Sequence, residues 1–199
     1  MSKIRVTNIL LNPAPEPFAS KITVQIYVDL LAQIANDMEI RAIYIGSAES
    51  SEFDQILSQA FIPIKDLGQS YFELSMDAPD IEQIPTLEDL LGPSVLMVCA
   101  LYNNQEFFRC SYFVYNNDIR KDAIELNEEN FDVNSIYRCF LTDKPRIKLS
   151  DIDWEDWDYN NLVKVNNEEH IDSLKKANEQ MLMDFGNPFQ LNENSIFNR

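Results

Sequence analysis

The chain has 199 residues, 45% of them hydrophobic, enough for one well-buried core and a tail and too many for wholesale disorder. Asp and Glu number 33 against 16 Lys and Arg, a net charge of −17, so the surface repels nucleic-acid phosphates and anionic lipid heads and attracts cations or basic proteins, unless the excess serves solubility alone. The longest apolar run, residues 95–101, is far too short to span a bilayer, and three cysteines at 99, 110 and 139 without metal-type spacing or a preceding apolar leader imply free thiols in a reducing, intracellular setting.

Residues 4–11 begin with Ile4 and Val6 on one parity and continue with Ile9 and Leu11 on the other, which predicts a strand that is bulged or covered on both sides. Asn12-Pro13-Ala14-Pro15 ends it, because proline removes ladder donors. The clearest strand is 21–30, where Ile22, Val24, Ile26, Val28 and Leu30 alternate with Lys21, Thr23, Gln25, Tyr27 and Asp29. That period puts one face in a core and leaves the other accessible. Further strands are expected at 40–46 and at 70–76, the second ended by Asp77-Ala78-Pro79. Residues 85–92 are the one clearly helical stretch before residue 160, with Thr86 as cap, Glu88 and Asp89 in the first turn, and Gly92-Pro93 as the stop. Strands at 95–102 and 106–115 are joined by Tyr102-Asn103-Asn104-Gln105, whose asparagines tolerate the positive φ of a tight hairpin, and 133–141 reads as a last strand.

Short strands in this number, with turns at this spacing and little helix, define an all-β fold: an immunoglobulin-like β-sandwich with short helical segments in its loops. The Cys…Trp…Cys pattern of antibody domains is missing, so the likeness is one of architecture. The character changes after residue 156. A folded domain at 1–156 is expected to precede an acidic C-terminal extension at 157–199, flexible or partly helical, in which Ile171, Leu174 and Met181 would line a short helix over 168–183. Residues 158–199 hold seven acids and four bases, so most of the negative charge rests on the folded part.

Catalysis finds little support. The only histidine, His170, lies in the extension, which excludes a Ser-His or Cys-His arrangement in the core, and four glycines in the whole chain leave no phosphate-cradling loop. Carboxylates such as Glu52 with Asp54, or Asp151 with Asp153, Glu155 and Asp156, read as solvated clusters without calcium-loop spacing; a divalent-metal enzyme built on them is the remote alternative. Phe107, Arg109 and Phe113 share one parity, as do Ser94, Leu96 and Val98 on the neighbouring strand. Aromatics interleaved with a base can stack nucleotides, but the acidic setting argues against that. A continuous apolar run needs cover on both faces, and where the second cover is not internal it is another protein.

Ile43-Tyr44-Ile45-Gly46-Ser47-Ala48-Glu49-Ser50, continuing through Glu52, Asp54-Gln55 and Leu57, resembles the signature segment of the anti-silencing-function histone chaperones. Asp77-Ala78-Pro79, Ile84-Pro85, Gln105-Glu106-Phe107 with Arg109, Asn116-Asn117, Pro145-Arg146 and Trp154-Glu155-Asp156 follow in the family's order and nearly its spacing, and Asn12-Pro13 with Pro15-Glu16-Pro17-Phe18 resembles its proline-rich first loop. The match covers about residues 1–156.

The resemblance implies a monomeric sandwich that binds one heterodimer of histones three and four, blocks their tetramer, and passes the pair to nucleosome assembly and disassembly. It implies no cofactor, no catalysis, no direct nucleic-acid or membrane contact, and residence in the nucleus with a cytoplasmic pool. Carried over by position, the histone contacts are Ile45, Asp54, Glu88, Ser94, Leu96, Arg109, Tyr112 and Phe113 on a sheet, with Leu141 and Arg146 on the edge that receives an added histone-four strand. A second surface, for basic peptides of chromatin assembly factor one and histone regulator A, is expected around Asp37, Glu39 and Phe61. The chain departs from the family at Asn36, where a second acid is common, at Ser94, where valine is usual, and by an extra residue assigned to the hairpin at Asn103-Asn104. Without the resemblance, Ile45 and Leu96 read as ordinary core and Arg109 as an internal partner of Asp54; the competing reading of the chain is a passive structural sandwich module of adhesion or cytoskeletal type.

Overall fold

The computed structural model describes residues 2–47, 50–120 and 131–154. They form ten strands: β1 Ile4–Leu11, β2 Glu16–Pro17, β3 Ile22–Leu30, β4 Met38–Ile45, β5 Asp54–Ile62, β6 Gly68–Met76, β7 Pro93–Tyr102, β8 Gln105–Asp118, β9 Ile136–Phe140 and β10 Arg146–Leu149. Helix is confined to loops: α1 Leu87–Leu91 and three single 3-10 turns. One sheet has the order β1-β3-β6; the other runs β2-β9-β8-β7-β4-β5, with β10 also paired to β8. Every pairing is antiparallel, and the two sheets make the all-β, immunoglobulin-like sandwich that the turn spacing implied.

Period-two patterning explains the core. The apolar parity of β3 is wholly buried from Ile22 to Leu30, and facing it Met38, Ile40, Ala42 and Tyr44 of β4 join Leu96, Val98, Ala100 and Tyr102 of β7. In β1 the phase change is a bulge between Val6 and Asn8. Thr86 caps α1 through its hydroxyl, which accepts from the Asp89 N–H at 3.0 Å. Asn103 and Asn104 take φ of 49° and 61°, the left-handed pair a two-residue hairpin requires.

Three strands escape the sequence pattern. Edge strand β5 lacks clean alternation because its pairing with β4 slips between Ala42 and Ile43, β10 is exposed at all four residues, and β2 is only two residues inside the proline-rich loop. The strand expected at 133–141 begins later: Asp132 caps a 3-10 turn at Val133–Ser135, and β9 starts at Ile136. The expected helix at 168–183, and His170, lie outside the described residues.

One buried cation ties the proline-rich loop to the sheet. Arg138 donates to the carbonyls of Phe18 (2.7 Å) and Ser20 (2.9 Å), and its guanidinium lies over the Phe18 and Phe140 rings at 5.9 and 5.3 Å. Arg138→Ala strands two carbonyls and opens a cavity between two rings. It should therefore lower the unfolding free energy by about 3 kcal/mol in a urea titration. A loss below about 1 kcal/mol would show that the loop closes on the sheet without this clamp.

Candidate functional site

Away from the core, the seven-stranded sheet presents a second face whose residues fall into cross-strand rows. Asp54 pairs with Ile45, Ile45 with Val95 and Val95 with Phe113, and the Leu141 N–H donates to the Phe113 carbonyl at 2.9 Å. The next row runs Ile56, Ile43, Met97, Ser111, Arg146, and the next Gln59, Arg41, Cys99, Arg109, Lys148. A last row holds Phe61, Glu39, Leu101 and Glu106. The middle of this face is therefore apolar, and charge gathers towards one end.

Each charged group has a definite role. Arg109 donates through Nε and Nη2 to Glu106 Oε2 at 3.1 and 2.7 Å, so its internal partner is Glu106 and not Asp54. Glu106 reaches this face because the β7–β8 pairing slips between Ala100 and Leu101; the same bulge turns Phe107 away from Arg109 and against the Trp154 ring, at 5.0 Å. Burial, then the Glu106 carboxylate, push the Cys99 thiol up to about 12, so it stays protonated and is no nucleophile. Asp54 is half-buried, with Oδ1 enclosed and without a hydrogen-bond partner among the described residues, and that burial raises its carboxyl above the usual range. A cationic or N–H donor from outside would satisfy it. The Arg146 guanidinium covers the Phe113 ring at 5.0 Å, and with Val95 and Ser111 they rim a hollow of about 190 Å³.

Strand parity corrects three of the expected contacts. Ser94, Leu96 and Tyr112 point into the sandwich: Leu96 is 0% exposed, Ser94 is buried near Tyr44, and the Tyr112 hydroxyl donates to the Ile9 carbonyl at 3.4 Å. They belong to the core, and Val95 and Met97, on the other parity of β7, face outward in their place. The two-residue hairpin at Asn103-Asn104, closed by the Tyr102–Gln105 pair, has no room for an extra residue. Ser94, 1% exposed, is therefore not a departure on the outward surface, where Val95 stands. Ile45, Asp54, Arg109 and Phe113 are brought together, Leu141 and Arg146 border them, and Glu88 is exposed on α1, which packs on β7 and β8. Val95, Met97, Ile43 and Glu106 share this face and were not among the expected contacts; outward parity counted back from a fixed hairpin at Asn103-Asn104 would have placed the first two there.

The residues expected at a second surface collect at one corner, where Met38 pairs with Ile62 and Glu39 with Phe61. Asp37 and Phe61 are exposed there. Glu39 is a correction: it is buried, and its Oε1 accepts from Arg41 Nε at 3.0 Å and Gln59 Nε2 at 2.8 Å, so its charge is already used within the chain. Asn36 is held to the hairpin, its Nδ2 donating to Asn103 Oδ1 at 2.9 Å.

Among the described residues, the opposite edge of the sheet is open. β10 pairs on one side with β8, and between β10 and β1 a cleft of about 360 Å³ is lined by Val6, Ile9, Cys110, Tyr112, Pro145 and Ile147 among others. No group of three or more His, Cys, Asp or Glu among the described residues is arranged to hold a metal ion.

An apolar strip bounded by carboxylates and guanidinia, beside a strand edge that is unpaired among the described residues, defines a β-sandwich of the protein-binding class. The chain belongs to the ASF1-like histone chaperone family, whose model matches residues 1–155. It is 33% identical over 155 residues to histone chaperone ASF1B of Homo sapiens, covering 78% of this chain and 76% of that protein. It is 36% identical over 150 residues to histone chaperone ASF1B of Arabidopsis thaliana, covering 74% and 67%. Histone chaperone asf1 of Dictyostelium discoideum is 32% identical over 154 residues, covering 77% of this chain and 99% of its own.

Proposed function

We propose that this histone chaperone, without enzymatic activity, binds a heterodimer of histones three and four, blocks formation of their tetramer and delivers the pair for nucleosome assembly and disassembly. The observation that carries the reading is the accessible row Asp54, Ile45, Val95 and Phe113, with Arg109 and Arg146 beside it. An amphipathic histone helix buries its apolar side chains on Ile45, Val95 and Phe113 and offers a base to Asp54 and a carboxylate to Arg109. The negative charge of the domain speeds the encounter with so basic a cargo. Beside it, the histone-four C-terminal segment adds a strand near Leu141 and Arg146 along β10 and puts an apolar side chain into the cleft beneath Ile147.

The corner at Asp37 and Phe61 is the second docking surface, where the edge of β5, unpaired among the described residues, takes basic peptides of the chromatin assembly factor one and histone regulator A type. Residues 1–156 act as the binding domain, a monomer, and 157–199 as an extension to it; the protein works in the nucleus, with a cytoplasmic pool. Calorimetric titration with the folded histone pair should give one saturable site at one pair per chain, weakening as salt rises. Two chains bridged by one histone tetramer, or no heat at moderate salt with folded protein, would refute the reading.

A further inference from the structure

Apolar surface accumulates at the open edge beyond what one anchoring cleft explains. Ile147 and Leu149 of β10 are 61% and 74% exposed, and Leu31, which follows β3, is 48% exposed. Exposed apolar residues on an unpaired edge strand are a hazard that folded proteins suppress unless the edge is covered in use. Beside the cleft already described lies a second, of about 480 Å³, lined by Ile4, Leu31, Phe107, Leu149 and Trp154, with Asp151 at its mouth. The two adjoin, since Val6, Phe108 and Ile147 line both. Pro145, just before β10, borders only the first, Ile147 both, and Leu149 only the second.

We infer that this second cleft is an anchor site: the basic partner's strand that adds to β10 inserts two apolar side chains from one face, the further one against Leu31, Leu149 and Trp154. This deepens the reading above and rests on it. Strand geometry supplies the reason. Ile147 and Leu149 share one parity, so an added strand directs its own inward side chains at the same two-residue period and passes from the first cleft to the second without a break. Asp151 brings an acid to this end and favours a basic residue following the apolar anchor, whereas a second copy of this chain would bring its own net charge of −17 against an equally negative domain. Arg5, also at the cleft, is engaged by Asp29 at 2.8 Å.

Trp154 reports on the site directly. Full-length protein carrying 5-fluorotryptophan shows two fluorine resonances, which Trp157→Phe assigns, and an unlabelled histone pair adds none. Formation of the complex should move the Trp154 resonance. Leu149→Ser and Leu31→Ser, both at exposed positions where the fold tolerates the change, should each weaken the pair about tenfold, the size of one large apolar side chain left unburied. A complex that forms with the Trp154 resonance unmoved, or with both variants as tight as the parent, overturns the second anchor and leaves the histone reading standing. If the unsubstituted chain forms no complex, the reading and the anchor fall together.

Discussion

Leu96→Arg should destroy the fold, whereas Val95→Arg, one residue away, should leave the fold intact and remove histone binding. Leu96 is 0% exposed in β7, paired with Tyr44 on one side and Tyr112 on the other, both of them buried. A guanidinium there has no partner and no route to water. The cost exceeds about 4 kcal/mol, a large share of the 5 to 15 kcal/mol that holds a domain of this size together. The expected result is insoluble protein or a melt without a cooperative transition. Val95 faces outward between Ile45 and Phe113, so an arginine there stays solvated and the melting temperature should move by only a few degrees. It would, however, set a charge in the middle of the apolar row, and binding of the histone pair should fall about a hundredfold. A folded Leu96→Arg protein that no longer binds, together with a Val95→Arg protein that still does, would reverse the assignment of faces.

That pair of residues also shows how far the sequence could be read. Alternation in β3 was legible because one sheet face is buried from end to end and the polar parity is uninterrupted. The bulge in β1 was legible from a change of phase. On β7 both parities are apolar, Leu96 and Val98 on one and Val95 and Met97 on the other, so periodicity cannot say which faces the partner. Taking Ser94 and Leu96 as the outward pair put the buried parity of β7 on the wrong face. Two-residue loops with both asparagines in the left-handed region fix register more firmly than family spacing does. β8 shows a different case: parity put Arg109 and Phe113 on one face, as found, but the bulge before Phe108 exchanged Phe107 for Glu106 there. No local pattern announces such a slip. β5 and β10 were illegible for a related reason, since edge strands carry neither a buried parity nor strong β-forming composition, and those edges are where the proposed added strands dock.

Arg109 carries the second large effect. Its guanidinium is held in place by Glu106 and remains accessible to a ligand, so it meets a partner carboxylate already oriented and loses little side-chain entropy on binding. Arg109→Glu sets a second carboxylate beside Glu106 and should weaken the histone pair about a hundredfold, or about 2.7 kcal/mol, with the fold unchanged. The substitution also makes the whole domain more negative, which by itself would strengthen long-range attraction to basic cargo. Salt separates the two effects. A lost contact persists as ionic strength rises, whereas the gained attraction is screened, so the deficit of Arg109→Glu should widen between low and physiological salt. Exchanging the pair, Glu106→Arg with Arg109→Glu, keeps the net charge and the ion pair but moves the cation towards Leu101. Binding should not return. Restoration by the exchanged pair would mean that Arg109 only braces the sheet and that the partner's acid is met elsewhere.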